Sequence, residues 1–114
     1  MTLTIQNVEE AKETIKKNNI VLFMKGTKDM PGCGFSAQVI QILNKTNVDY
    51  VDIDVLNDEN FKENMKKFTN WPTFPQLYVK GEFIGGCDIV KEMFEKGELQ
   101  TVLEQKGIKV QKAQ

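Results

Sequence analysis

The apolar run Ile20-Val21-Leu22-Phe23-Met24 and, a short loop later, Met30-Pro31-Gly32-Cys33-Gly34-Phe35-Ser36-Ala37-Gln38-Val39 decide how this chain folds. Five consecutive apolar residues read as a strand buried on both faces, as in the middle of a parallel sheet. Lys25-Gly26 closes that strand and residues 27–32 form a loop. From Gly34 to Asn44 the pattern turns helical, with Phe35, Val39, Ile42 and Leu43 on one broad apolar face. Cys33 therefore stands where a buried strand hands over to the start of a helix. Unpaired N–H groups and the positive end of the helix dipole favour an anion there. A thiol so placed loses its proton more readily than a free cysteine, and a thiolate is both nucleophile and metal ligand.

Working outward, residues 7–19 form a surface helix, with Val8, Ala11 and Ile15 inward and six charged residues on the other face. Residues 50–55 alternate as a half-buried strand with Val51, Ile53 and Val55 on one side. Asn57 or Asp58 caps a third helix whose inward stripe is Phe61, Met65 and Phe68. Two prolines three apart keep Trp71-Pro72-Thr73-Phe74-Pro75 out of any helix. Residues 77–79 and 82–84 form a hairpin across Lys80-Gly81. Asp88 is the expected cap of a fourth helix, packed through Ile89, Val90, Met93 and Phe94. A fifth carries Leu99, Val102 and Leu103 and stops at Gly107, leaving residues 108–114 as a polar tail expected to fray. Strands joined through helices run parallel and a hairpin runs antiparallel. The expectation is one α/β domain, residues 1–107, with a four-stranded mixed sheet flanked by helices on both faces.

Composition narrows the chemistry. With 114 residues and a net charge of −1, the chain is one ordinary domain with no electrostatic case for nucleic acid or an anionic membrane. No segment approaches the roughly 18 apolar residues of a membrane span. The first residues lack signal-peptide and transit-peptide character, which makes the cytoplasm the expected compartment, either a bacterial cytoplasm or, after removal of a presequence that would leave no trace, an organelle matrix. The absence of histidine removes Ser-His-Asp and Cys-His hydrolases, and two cysteines, Cys33 and Cys87, cannot complete a four-ligand zinc site.

Each candidate residue has a plain reading beside the chemical one. Cys33 is either a buried structural cysteine or, given the tight Pro31-Gly32 and Gly34 around it, a reactive or ligating thiol. A Cys-x-x-Cys pair would need a cysteine at position 36, where Ser36 stands instead and can serve as a helix cap. Cys87, after two glycines, is a small residue at a packed turn or a second thiol able to resolve a disulfide. The double-proline stretch is an unusual turn, or a cis X-Pro bond that leaves a backbone edge free to hold an extended peptide. Lys25 is a solvated lysine, or a cation that lowers the thiol's pKa and receives a carboxylate. Lys62, Lys66 and Lys67 are expected to face solvent, and Trp71 is as readily core as site. No glycine-rich fingerprint follows the first strand, which argues against a nucleotide site.

Together these motifs carry a resemblance. Phe23-Met24-Lys25-Gly26, Cys33-Gly34-Phe35-Ser36, Trp71-Pro72-Thr73-Phe74-Pro75-Gln76-Leu77 and Gly85-Gly86-Cys87-Asp88 occur in the order and spacing of a monothiol glutaredoxin of the CGFS type. The likeness spans about residues 8–106. It implies a thioredoxin-like fold, Pro75 as the cis proline, and Phe74 offering its backbone to the cysteine of glutathione. Lys25 would take the glycyl carboxylate, and Cys87 and Asp88 the γ-glutamyl end. The family usually has arginine where this chain has Lys62, which keeps the charge and loses the bidentate fork. Such proteins resemble carriers. By this resemblance, two protomers would hold one [2Fe–2S] cluster through both Cys33 thiolates and two glutathione thiols, four sulfurs in all. The resemblance implies apo iron–sulfur proteins as clients and BolA-type proteins as further partners. The alternative it leaves is a glutathione-dependent thiol–disulfide oxidoreductase acting on glutathionylated proteins, at most weakly active.

Overall fold

The apolar run forms β2 (Ile20–Met24), and its alternating side chains divide the core in two. Ile20, Leu22 and Met24 face one layer with Val39, Leu43, Leu77, Val90, Leu99 and Leu103. Val21 and Phe23 face the other with Ala11, Ile15, Phe61, Met65 and Tyr78. The computed structural model describes residues 2–3, 7–56 and 58–108. Around β2 stand β1 (Thr2–Leu3), α1 (Val8–Lys17), α2 (Gly34–Thr46), β3 (Val51–Asp54) and α3 (Glu59–Thr69). They are followed by β4 (Gln76–Val79), β5 (Glu82–Gly85), α4 (Cys87–Glu95) and α5 (Glu98–Gln105). Helices α2, α4 and α5 cover one face of the sheet, and α1 and α3 the other.

The four expected strands are β2 to β5, and their sheet is mixed. β2 runs parallel to β3 and antiparallel to β4, and β4 pairs antiparallel with β5. The two-residue β1 adds a short fifth row beside β3, giving the order β1-β3-β2-β4-β5. Helix ends follow their capping chemistry. Asn7 accepts the Glu10 N–H at 2.9 Å, and Asp58 accepts those of Asn60 and Phe61 at 2.9 and 3.2 Å. Asp58 is thus the cap of α3; Asn57 lies outside the described residues, as do residues 109–114 of the tail. Asn47 and Asn70 end α2 and α3 in the left-handed conformation, which asparagine tolerates.

Several expectations are corrected here. Phe68 does not complete the inward stripe: it is 42% exposed, with the Lys12 ammonium 5.2 Å from its ring centre. Phe35 is 59% exposed, because the first turn of α2 turns Ser36 inward and the apolar buried face begins a turn later at Val39. The polar side of β3 is only partly solvated: Asp54 is half-buried, and Asp52 is fully buried, its carboxylate accepting the Lys28 N–H at 2.8 Å. Asp88 is not the cap of α4; the helix starts two residues earlier than that cap implies, at Cys87, and Gly86 is the cap. Ile108, placed in the tail by its sequence position, is buried, with its N–H bonded to Leu103 O at 2.9 Å.

Candidate functional site

Cys33 is the cap residue of α2, in extended conformation, and its sulfur accepts the Ser36 N–H at 3.4 Å. Ser36 is therefore not the cap: it lies in the first turn, fully buried, with its hydroxyl 3.4 Å from the same sulfur. The Ser36 oxygen also accepts the Lys25 backbone N–H at 3.2 Å. With that acceptor position occupied, the hydroxyl hydrogen is free to point at Cys33 once the thiol ionises. Partial burial works against the thiolate. The Ser36 hydroxyl, the Ser36 and Phe35 N–H groups and the Lys25 charge outweigh it, so the Cys33 pKa falls below the ordinary 9.0.

The loop before the thiol is tightly tied. Gly32 N–H bonds Lys25 O at 2.7 Å, and Thr27 and Met30 exchange two backbone bonds of 3.1 Å each. Gly26 is required, since its φ is +87° and a Cβ there would lie 2.4 Å from Gly32 N. Two carboxylates of β3 hold this loop to the sheet: Asp54 accepts the Gly26 N–H at 3.0 Å and Asp52 that of Lys28.

Across from the thiol, the Phe74–Pro75 bond is cis, and the β4 ladder begins only at the Phe23–Gln76 pair, leaving Phe74 outside it. The buried Gln76 amide ties the segment down by donating to Trp71 O and Thr73 O at 3.3 and 3.1 Å. Between these walls lies a cleft of about 290 Å³. Lys25, Phe35, Trp71, Thr73, Phe74, Pro75, Gly86, Cys87, Asp88 and Ile89 line it. A recess of about 70 Å³ adjoins it, sharing Lys25, Thr73 and Phe74 and adding Lys62, Lys66 and Pro72.

The structure thus gathers Lys25, Phe74, Pro75, Cys87 and Asp88 in one cleft and Lys62 in the adjoining recess. Cys33 stands beside the cleft, next to Phe35. Lys62 does not face solvent: its side chain is 18% exposed and pairs with Glu59 at 3.2 Å. Lys66 turns into the same recess while bonded to Glu63 at 3.0 Å, and Lys67 is exposed as expected. Cys87 differs from Cys33. It is buried, its thiol donates to Gln38 Oε1 at 3.4 Å, and burial, with the Asp88 and Cys33 charges, raises its pKa despite Lys91. One thiol is poised to ionise and the other is kept protonated. Of the other lining residues, sequence reasoning puts Lys66 in solvent and Ile89 in the packing of its helix, and names Thr73 and Gly86 within motifs without a role. The i, i+4 spacing of Lys66 from Lys62 is the signal that could have placed Lys66 in the recess.

A thiol at the handover from strand to helix, facing a cis proline across a cleft in a mixed sheet, defines a protein of the thioredoxin-like class. The glutaredoxin family model matches residues 20–84, and the chain belongs to the glutaredoxin family, among its monothiol members with their glutathione-related redox function. It is 57% identical over 98 residues to the probable monothiol glutaredoxin 2 of Rickettsia typhi, covering 86% of this chain and 88% of that one. Its fold matches the solution structure of a monomeric truncated mutant of Trypanosoma brucei 1-C-Grx1. There the TM-score is 0.86 and the identity 36%, over 96% of this chain and 99% of that one. A buckwheat glutaredoxin solved as a glutathione complex shares the fold, with TM-score 0.76 and 24% identity over 90% and 92% of the chains. Among the described residues, no helix is long and apolar enough to cross a membrane.

Proposed function

We propose that this protein binds glutathione in the cleft beside Cys33 and carries a [2Fe–2S] cluster between two protomers, for delivery to apo iron–sulfur proteins. The observation that carries the reading is the division of labour between the two thiols. Cys33 is a partly exposed thiol whose pKa is lowered by its hydrogen bonds and Lys25, whereas Cys87 is buried and its pKa is raised. One chain then offers one thiolate to a cluster that wants four sulfurs. Two protomers and two glutathione thiols make up the set. In this reading Lys25 and Lys62 take the glycyl carboxylate, Phe74 and Pro75 hold the peptide backbone, and Asp88 and the start of α4 at Cys87 hold the γ-glutamyl end. Ligands that dissociate suit a cluster that is cargo. The bacterial cytoplasm or an organelle matrix is the compartment that goes with this role, and residues 1–107 are its working domain.

Anaerobic incubation with ferrous iron, sulfide and reduced glutathione should give a coloured dimer, and leaving out glutathione should abolish it. A colourless monomer, or a Cys33→Ser variant that keeps the full cluster, would overturn the reading. The lowered Cys33 pKa also favours a second activity. Its thiolate attacks the glutathione sulfur of a mixed disulfide and releases the protein thiol. A second glutathione thiolate then displaces Cys33, leaving glutathione disulfide. Turnover of a glutathionylated peptide measures it directly.

A further inference from the structure

Lys25 is the residue shared by the cleft and the recess, so its placement decides how both are charged. Its backbone is held on every side. Its N–H goes to Ser36 Oγ in α2, its carbonyl accepts Gly32 N–H, and the next amide, Gly26 N–H, goes to Asp54 Oδ1 at the end of β3. The same Asp54 oxygen accepts the Leu56 N–H at 2.8 Å, which fixes the carboxylate against its own strand. Asp54 lines neither space and has no place in the ligand contacts assigned above. The outer arm of the loop has its own anchors. Asp52 holds the Lys28 amide, and the Lys28 ammonium reaches Tyr50 O at 3.4 Å and lies 4.7 Å from the Tyr50 ring centre. Removing the Asp54 carboxylate therefore frees the Gly26 N–H side of the Lys25–Gly26 peptide, while the Lys25 carbonyl keeps its bond to Gly32 N–H and the outer arm of the loop stays pinned.

We propose that Asp54 is a positioning residue for the site: by fixing the Gly26 amide it aims the Lys25 side chain at the junction of cleft and recess. This rests on the reading of those spaces as the glutathione site. A hydrogen bond to a charged group and preorganisation of the cation are both at stake, which together set the expected loss at about tenfold in affinity.

The test is a titration of reduced glutathione into the reduced, cluster-free protein, followed by calorimetry or amide chemical shifts, with thermal unfolding of each variant alongside. Asp54→Ala should weaken binding about tenfold, whereas Asp54→Asn, whose amide oxygen still accepts both N–H groups, should stay within about twofold of the parent. Asp54→Glu, which keeps the charge and displaces the oxygen, should reproduce the alanine loss if the alanine variant folds poorly. In a double-mutant cycle the Asp54→Ala/Lys25→Met variant should bind no worse than Lys25→Met alone. Parent-like binding by Asp54→Ala, or additive losses in the cycle, would overturn the proposal while leaving the glutathione site standing. If Lys25→Met itself binds like the parent, the glutathione reading falls and takes this proposal with it.

Discussion

Replacing Ser36 by alanine isolates what a single hydroxyl does for the Cys33 thiolate. The change removes the Oγ contact at 3.4 Å and leaves the Ser36 N–H, also 3.4 Å from the sulfur, in place. Hydrogen bonds to charged groups are worth about 1.5–3 kcal/mol. Sulfur is a weak acceptor, and Cys33 is partly exposed, so solvent screening brings the figure down to about 1 kcal/mol. At pH values below the thiol's midpoint, that is roughly a fivefold fall in the thiolate fraction. The assay is ultraviolet thiolate absorbance against pH in a Cys87→Ala background, which removes the second thiol. Alkylation is a blunter readout, because a more basic thiolate is also more nucleophilic, and its rate should fall only about two- to threefold. The same substitution strips the Lys25 N–H of its acceptor, at a further cost of about 1–3 kcal/mol in folding stability. An unchanged titration midpoint in a folded Ser36→Ala protein would refute the account of how Cys33 is activated.

Four further outcomes follow from the same geometry. In the Cys87→Ala background, the stability lost on adding Cys33→Ala should grow as pH rises. A thiol whose folded pKa is lowered contributes fully above its ordinary value of 9.0 and loses that contribution as pH falls through the folded value; denaturant titrations across pH 6 to about 10 read it. A small alkylating reagent applied to the native protein should modify Cys33 well before the buried Cys87, as peptide mapping will show. Phe23→Ala should cost about 3–5 kcal/mol in urea unfolding, since the ring is fully buried, 5.5 Å from Tyr78 and 6.4 Å from Phe61. Asp58→Ala should cost about 1 kcal/mol by the same assay, because two N–H groups of α3 lose their acceptor.

Much of this protein was legible in one dimension. Five apolar residues in a row placed the central strand, alternation and 3.6-residue periodicity placed its neighbours, and the four-stranded mixed sheet followed from connection rules alone. The motif residues could be named because their spacing is a local property of the chain. Burial and partners were less legible. Phe35 and Phe68 looked like core because composition and period cannot tell where a helix runs out of neighbours. Asp52 looked solvated because nothing in Val51–Asp54 announces a loop folded over its strand.

For Cys33, sequence alone determined its position at a helix start and the missing second sulfur at Ser36. Those are facts of adjacency, and adjacency is what a sequence records. Only the tertiary structure decided why that thiol ionises more readily than Cys87. The answer lies in contacts between distant residues: Lys25 with Ser36, Gly26 with Asp54, Cys87 with Gln38. Hydrogen bonds and desolvation act over a few ångströms in space, and the fold alone sets which residues come that close.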